Sequence, residues 1–168
     1  MNIIQKKICL LGDFAVGKTS LVRRFVEGIF DDRYLSTIGV KVSRRPVQLQ
    51  TDTINLIVWD LAGGNEWLRS NQGYLRGLAG AVLVCDLTRS PTLSALALCA
   101  AQVRDVNPQA VLVLAANKID LENERQVTEA DIQAISATWQ CPYWLTSAKT
   151  GAQVPEMFEA LAHRLLLA

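Results

Sequence analysis

Cysteine, histidine and long apolar runs are scarce in this sequence, and each shortage removes a class of protein. The 168 residues contain four cysteines but no Cys-x-x-Cys pair. Three of them lie within or beside apolar runs, which favours reduced, packed thiols and a reducing cytosol. No apolar run reaches the roughly 18 residues of a membrane span, and the amino terminus lacks the layout of a signal peptide. The lone His163 suggests neither catalysis nor metal binding.

Lipidation signals and an excess of one charge are missing as well. Asn2 stands where myristoylation requires glycine, and the last four residues contain no cysteine for prenylation. We therefore expect no stable membrane anchor in this chain. The 17 Lys and Arg residues nearly balance the 16 Asp and Glu residues, giving a formal net charge of +1. Because there is no strong positive field, nucleic acid is not an expected partner, and partners must be recognised through local surfaces.

An alternation of strand-like and helix-like segments is present instead. Half of the residues are apolar, and no linker, repeat or low-complexity segment divides the chain. Strand-length apolar runs occur at Ile3 to Leu11, Ile54 to Trp59, Ala81 to Cys85 and Val111 to Ala115. Helix-like stretches between most of them predict a mostly parallel sheet. Val40 to Gln50 joins the next strand through a short turn and predicts one antiparallel edge strand. We expect a single α/β domain over residues 1–168.

A phosphate-binding motif follows the first strand. Residues 12–19 read Gly-Asp-Phe-Ala-Val-Gly-Lys-Thr and open a helix, as the phosphate-loop pattern requires. Glycines let backbone N–H groups surround an anion, and the helix directs its positive end to the same point. Lys18 supplies charge for the terminal phosphates, and the Thr19 hydroxyl is a hard oxygen ligand suited to Mg²⁺. The predicted nucleotide contacts of this motif are Asp13, Ala15, Val16, Gly17, Lys18, Thr19 and Ser20.

A second motif indicates which base is bound, since a phosphate loop alone is compatible with ATPases, kinases and GTPases. Asn117-Lys118-Ile119-Asp120 comes after a strand-like run, at the edge where open α/β sheets bind nucleotides. The Asp120 carboxylate can accept hydrogen bonds from guanine N1–H and the 2-amino group, whereas adenine has no matching donor pair. GTP and GDP are therefore the expected ligands. A P-loop kinase or ATPase is the weaker alternative because it would have no use for Asp120.

These motifs, in this order, resemble those of the Ras-superfamily small GTPases. Tyr34 to Val40, Tyr74 to Gly77 and Cys85 to Thr88 are similar to segments of the Rab branch. The resemblance spans essentially Ile3 to Leu167. It implies the three-layer P-loop NTPase fold, with a six-stranded, mostly parallel sheet and about five helices. It also implies a switch that binds GTP or GDP with Mg²⁺, hydrolyses GTP and changes its partners.

The resemblance assigns roles to further residues. Asp60 would reach Mg²⁺ through water, and the Gly63 N–H would bind the γ-phosphate. Thr37 would contact Mg²⁺ and the γ-phosphate, and only in the GTP state. The backbone N–H of Ala148 would meet guanine O6. The implied catalytic residues are Lys18, Thr37 and Gly63, and the implied metal ligands are Thr19, Thr37 and Asp60. The implied nucleotide contacts outside the phosphate loop are Phe30, Tyr34, Thr37, Gly63, Asn117, Lys118, Asp120, Ser147, Ala148 and Lys149.

Partner binding is the implied output of the two switch regions. An effector, an exchange factor and an activating protein are expected to bind through Thr37 to Val40 and Trp67 to Tyr74. In the second region, Trp67, Leu68 and Tyr74 are expected to be partly exposed on a short helix over Glu66 to Arg76.

Two positions depart from the family pattern. Gly64 stands where the family usually has a glutamine that orients the attacking water. Phe14 stands where a small residue usually leaves room for an arginine finger. Slow intrinsic hydrolysis is therefore expected unless Asn65, Arg33 or a partner protein supplies the missing group. The alternative is a module that binds GTP or GDP and hydrolyses GTP negligibly.

Overall fold

The computed structural model of the protein describes residues 3–33 and 37–168. The predicted nucleotide contact Tyr34 lies outside these residues. The strands are β1 (Ile3–Leu11), β2 (Val40–Gln48), β3 (Thr53–Leu61), β4 (Gly80–Asp86), β5 (Val111–Asn117) and β6 (Tyr143–Thr146). They form one six-stranded sheet in the order β2-β3-β1-β4-β5-β6. The predicted six-stranded architecture is confirmed.

One strand pair is antiparallel, and the other four pairs are parallel. The antiparallel pair joins β2 to β3, with Val40 opposite Leu61 and Gln48 opposite Thr53. A tight turn closes this hairpin, in which the Leu49 N–H donates to the Asp52 carbonyl at 2.9 Å. β2 is therefore the antiparallel edge strand that the short polar turn predicted.

Six α-helical segments lie in the described part of the chain, one of them a single turn. They are α1 (Lys18–Glu27), α2 (Asn65–Ser70), α3 (Pro91–Ser94), α4 (Leu96–Val106), α5 (Glu129–Trp139) and α6 (Val154–Leu167). Two 3₁₀ turns add Gln72–Leu75 and Glu122–Glu124. Sequence signals explain two helix starts. Pro91 occupies the first turn of α3, and the Thr128 and Asp131 side chains form a capping box on α5.

The core lies on both faces of the sheet, because the residues of β4 are buried on both sides. Leu83 packs into one apolar cluster with residues of α4 and α5. Val84 packs into the other with residues of α1 and α6, where the Phe25 and Phe158 rings stack with centroids 4.0 Å apart. This arrangement is the three-layer fold, and it leaves the carboxyl ends of the parallel strands open along one edge.

Two further expectations concern cysteines and membranes. All four cysteines, each within the described residues, are buried with free thiols. Burial raises the pKa of Cys9 and Cys85 to about 12 in each case. None of the described helices is both long enough and apolar enough to cross a bilayer.

Candidate functional site

A cavity of about 340 Å³ opens at the carboxyl edge of the sheet. The loop between β1 and α1 forms its floor, and the segments that follow β3, β5 and β6 supply its walls. The predicted residues that line it are Ala15, Gly17, Lys18, Thr19, Ser20, Phe30, Thr37, Gly63, Asn117, Lys118, Asp120, Ala148 and Lys149. The predicted residues Asp13, Val16, Asp60 and Ser147 are not part of its lining. Residues from five separate parts of the sequence therefore meet at one edge.

The loop of residues 12–17 packs closely against the end of β5 because it has a glycine at a position where no side chain fits. Gly17 has a φ of +102°, and a Cβ there would lie 2.3 Å from the side-chain nitrogen Nδ2 of Asn117. Lys18 is 6% exposed, and its ammonium donates to the Gly12 and Asp13 carbonyls at 3.1 and 2.9 Å. Burial lowers the pKa of Lys18 to about 8, against the opposing effect of the Asp60 carboxylate. The loop thus presents a buried cation beside the backbone at the start of α1.

Three hard oxygen atoms meet beside this cation. The Thr19 hydroxyl hydrogen-bonds to the Thr37 hydroxyl and donates to the Asp60 carboxylate at 2.6 Å. Thr37 lies 3.3 Å from the same carboxylate oxygen. Asp60 is 1% exposed, and its second oxygen accepts no hydrogen bond from the described residues. Burial raises the pKa of Asp60, against the opposing effect of the Thr19 hydrogen bond and the Lys18 charge, and a bound cation would further stabilise its charged form. The donor set and the unpaired buried oxygen fit Mg²⁺.

The other end of the cavity is organised by Asn117. Its side-chain NH₂ donates to the Val16 carbonyl at 3.0 Å. Its oxygen accepts from the Thr146 hydroxyl at 3.1 Å and from the Ala148 N–H at 3.3 Å. One side chain at the end of β5 therefore connects the loop after β1 to the loop after β6. Val16 contributes to this site through its carbonyl, since its side chain lies in the apolar core.

Asp120 lines the cavity with its carboxylate held in place. The Ser147 hydroxyl donates to it at 2.6 Å and also accepts from the Thr150 N–H at 3.0 Å. Arg24 on α1 supports the same loop from outside, donating to the Ala148 carbonyl at 2.8 Å. No local signal in the sequence pointed to Arg24, because the contact spans 124 positions along the chain.

The segment after β3 lies directly against the phosphate loop. A Cβ on Gly63 would sit 2.8 Å from the Phe14 Cα, and the Gly64 N–H donates to the Gly12 carbonyl at 3.3 Å. Gly64 has φ +100° and ψ 142°, a conformation that is open essentially to glycine alone. Position 64 is therefore shaped for a residue without a side chain.

The two side chains named as possible substitutes for the missing group at Gly64 make other contacts. The Asn65 amide donates to the Ala95 carbonyl at 3.3 Å, so it is turned toward the α3–α4 junction. Arg33 lines the cavity, but its guanidinium is paired with the Asp31 carboxylate at 2.8 Å. The hydrogen bonds from Arg33 lower the pKa of Asp31 to about 2.

The second switch region contains an aromatic cluster. The Trp67 and Tyr74 rings stack at 5.7 Å, and the Lys7 ammonium lies 3.8 Å from the centre of the Trp59 ring. Two expectations here were wrong. Leu68 is 3% exposed, packed into the core rather than partly exposed. The predicted helix over 66–76 is instead α2 followed by the 3₁₀ turn Gln72–Leu75, with a break at residue 71.

Comparisons with known proteins agree with this architecture. The model of the Ras family matches residues 7–167. The Ras-related protein Rab-22A of Mus musculus is 35% identical over 166 residues, which cover 98% of this chain and 86% of the relative. The GTP-binding protein ypt5 of Schizosaccharomyces pombe is 37% identical over 167 residues, which cover 98% of this chain and 79% of the relative. The chain therefore belongs to the Ras family and is a Rab-like small GTPase that binds GTP.

Proposed function

We propose that this GTPase is a guanine-nucleotide switch with a long-lived GTP state. The observation that carries the proposal is the conformation of Gly64, which faces the phosphate loop without a side chain and at a φ of +100°. The protein would bind GTP or GDP in the cavity of about 340 Å³, cleave GTP slowly, and change its partner surface when the γ-phosphate is lost.

The phosphate end of the proposed site consists of the loop at 12–17, Lys18 and the oxygens of Thr19, Thr37 and Asp60. The Lys18 ammonium would exchange its two carbonyl contacts for phosphate oxygens. The oxygen cluster would hold Mg²⁺, which supplies positive charge against the β- and γ-phosphates. Thr37 joins this cluster from the first switch region, so loss of the γ-phosphate would release it. Gly63, packed on the Phe14 backbone, would present its N–H to the same phosphate.

The base end of the proposed site selects guanine through Asp120. Asp120 lines the cavity, and the hydrogen bond from Ser147 holds its carboxylate in place there. Guanine offers two N–H donors to it, whereas adenine has no matching donor pair and would leave the carboxylate without a partner on the base. Asn117 and Lys118 would hold the loops around the base, and the Phe30 ring, which also lines the cavity, would pack against it.

The proposed slow cleavage follows from the groups that surround the γ-phosphate end. Gly64 has no side chain to hold the attacking water. Asn65 is bound to the α3–α4 junction, and Arg33 is paired with Asp31. Lys18, Thr37 and Gly63 would stabilise charge in the transition state, but they would not orient the water.

A second candidate function is a module that binds GTP or GDP and hydrolyses GTP negligibly. The observation that favours it is Phe14, which is 54% exposed and lines the cavity at its phosphate end. A ring at this point would obstruct an arginine supplied by an activating protein, a group that contributes about 10³ to 10⁵ in rate. Regulation would then depend on nucleotide exchange.

Partners would bind beside the cavity. Ile38 and Val42 are 95% and 47% exposed, and Tyr74 is 39% exposed. Ile38 and Tyr74 belong to the two segments whose positions would depend on the γ-phosphate, and Val42 lies on the adjoining edge strand β2. This makes them suitable anchors for an effector or a regulator.

The test is single-turnover cleavage of GTP. Purified protein is loaded with γ-labelled GTP and Mg²⁺, and phosphate release is followed over many hours, with EDTA-treated protein as the metal-free control. Slow release that depends on Mg²⁺ supports the switch. Guanine binding without any release, even after candidate activating proteins are added, supports the interaction module. Binding of ATP in preference to GTP contradicts both.

A further inference from the structure

A single carboxylate at the end of β4 holds two cations. Asp86 is 1% exposed. One of its oxygens pairs with the Lys118 ammonium at 2.8 Å and with Arg89 Nε at 3.0 Å. Its other oxygen accepts from the N–H and the hydroxyl of Thr88 at 2.8 and 2.7 Å. Burial alone would raise the pKa of Asp86, but these hydrogen bonds outweigh burial and hold the pKa below its usual value. Asp86 is therefore a fixed negative charge at the edge of the site.

Each of the two cations also donates a hydrogen bond to the phosphate loop. Arg89 Nη2 donates to the Phe14 carbonyl at 2.7 Å, and the Lys118 ammonium donates to the Ala15 carbonyl at 3.0 Å. Ala15 has a φ of +59°, in the left-handed region that non-glycine residues rarely adopt. The two anchored carbonyls belong to the peptide groups on either side of Ala15. The pair of contacts thus holds both flanks of the one non-glycine residue of the phosphate loop that adopts this conformation.

The planar peptide explains what this anchoring would do. In a trans peptide the C=O and the following N–H point in opposite directions. Fixing the Phe14 carbonyl outward on Arg89 therefore fixes the Ala15 N–H inward, and Ala15 lines the cavity. N–H groups arranged in this way form an anion-binding concavity.

We propose that Arg89 is a positioning residue for the nucleotide phosphates, because it bridges Asp86 to the Phe14 carbonyl and so orients the phosphate-loop backbone. The inference rests on the proposed nucleotide site. Arg89 does not touch the nucleotide in this account. It couples the Asp86 and Lys118 side of the site to the phosphate side, and both arms of its guanidinium are needed at once.

The test is the dissociation rate of a fluorescent GDP analogue, labelled on the ribose, from purified protein with Mg²⁺. Arg89→Gln is expected to dissociate it about tenfold faster than wild type, because a charge-assisted hydrogen bond is lost. Arg104→Gln is the matched control. Arg104 also donates to two backbone carbonyls, those of Pro108 and Ala110 at 3.0 and 2.7 Å, and no part of its side chain lines the nucleotide cavity. Melting temperatures of both variants are measured alongside.

Arg89→Lys separates bridging from charge. A lysine can pair with Asp86 or reach the Phe14 carbonyl, but its single ammonium lacks the forked geometry that serves both. It should recover only part of the loss. The affinity ratio of GDP to inosine diphosphate, which lacks the 2-amino group, should stay at its wild-type value in Arg89→Gln because the base contacts are untouched.

Four results would overturn the proposal: wild-type dissociation in Arg89→Gln, an equal acceleration in Arg104→Gln, full recovery in Arg89→Lys, or a change in the GDP to inosine diphosphate ratio. Failure of the proposed nucleotide site is a distinct outcome, in which the wild-type protein itself retains no guanine nucleotide. In that case the role assigned to Arg89 falls with the site.

Discussion

Replacing Gly64 should destabilise the protein although nothing crowds the site. A Cβ at this position meets no atom within 4 Å, so the cost of Gly64→Ala is conformational rather than steric. A non-glycine residue in such a sparsely populated region costs about 1–3 kcal/mol. If the loop relaxes instead, it gives up the Gly64 N–H bond to the Gly12 carbonyl, a contact worth about 0.5–1.5 kcal/mol. We expect Gly64→Ala to lower the free energy of unfolding by an amount within these ranges.

The assay is urea unfolding followed by fluorescence, with Gly73→Ala as the matched control. Gly73 lies in the same switch region, and a Cβ there also meets nothing within 4 Å, but its φ is not positive. The control should therefore change stability little. If the two variants unfold at the same urea concentration, the Gly64 backbone conformation carries no such cost. Gly64→Gln carries the same conformational cost but supplies an amide that can hold the attacking water, so it should speed GTP hydrolysis while lowering stability. An unchanged cleavage rate in that variant would contradict the cause proposed for slow cleavage.

Three further predictions concern base choice, the switch and the thiols. Asp120→Asn should weaken GTP binding and favour xanthosine triphosphate, because an amide can donate to the xanthine 2-oxo group where the carboxylate accepted from guanine; unchanged competition by the two nucleotides would contradict this. Thr37→Ala should raise the dissociation constant of a non-hydrolysable GTP analogue about tenfold with little effect on that of GDP. The control Thr138→Ala removes a hydroxyl that bonds a helix carbonyl on α5 and should leave both dissociation constants unchanged. Because burial raises the pKa of Cys9 and Cys85 to about 12, these thiols stay protonated at pH 8, and a thiol reagent should label them only after unfolding; rapid labelling of the native protein would show that they are accessible.

The strands and two helix starts could be predicted because their signals lie within a few residues of each other in the sequence. These signals are the strand-length apolar runs, the polar turn before Thr53 and the capping box at Thr128. The break in the second switch has a local signal that the expected helix overlooked, because Asn71 and Gly73 are helix-stop residues. The burial of Leu68 in the core was missed because it depends on tertiary contacts.

The composition of the site could be predicted to the extent that its residues occur in contiguous motifs. Thirteen of the predicted residues line one cavity, which the order of strands explains. The contacts of Arg24 and Arg89 span 124 and 75 positions along the chain, so spacing could not reveal them. The backbone conformation of Gly64 could not be predicted from the sequence either. The sequence shows only that residue 64 has no side chain, whereas the φ of +100° shows that the backbone itself favours glycine.

The most direct test of the account is the affinity of one preparation for GTP, GDP and ATP in the presence of Mg²⁺, with GTP cleavage followed in the same samples over hours. We expect GTP and GDP to bind strongly in preference to ATP, and GTP to be cleaved slowly. Preference for ATP would contradict the role of Asp120, and rapid cleavage by the protein alone would contradict the consequence drawn from Gly64.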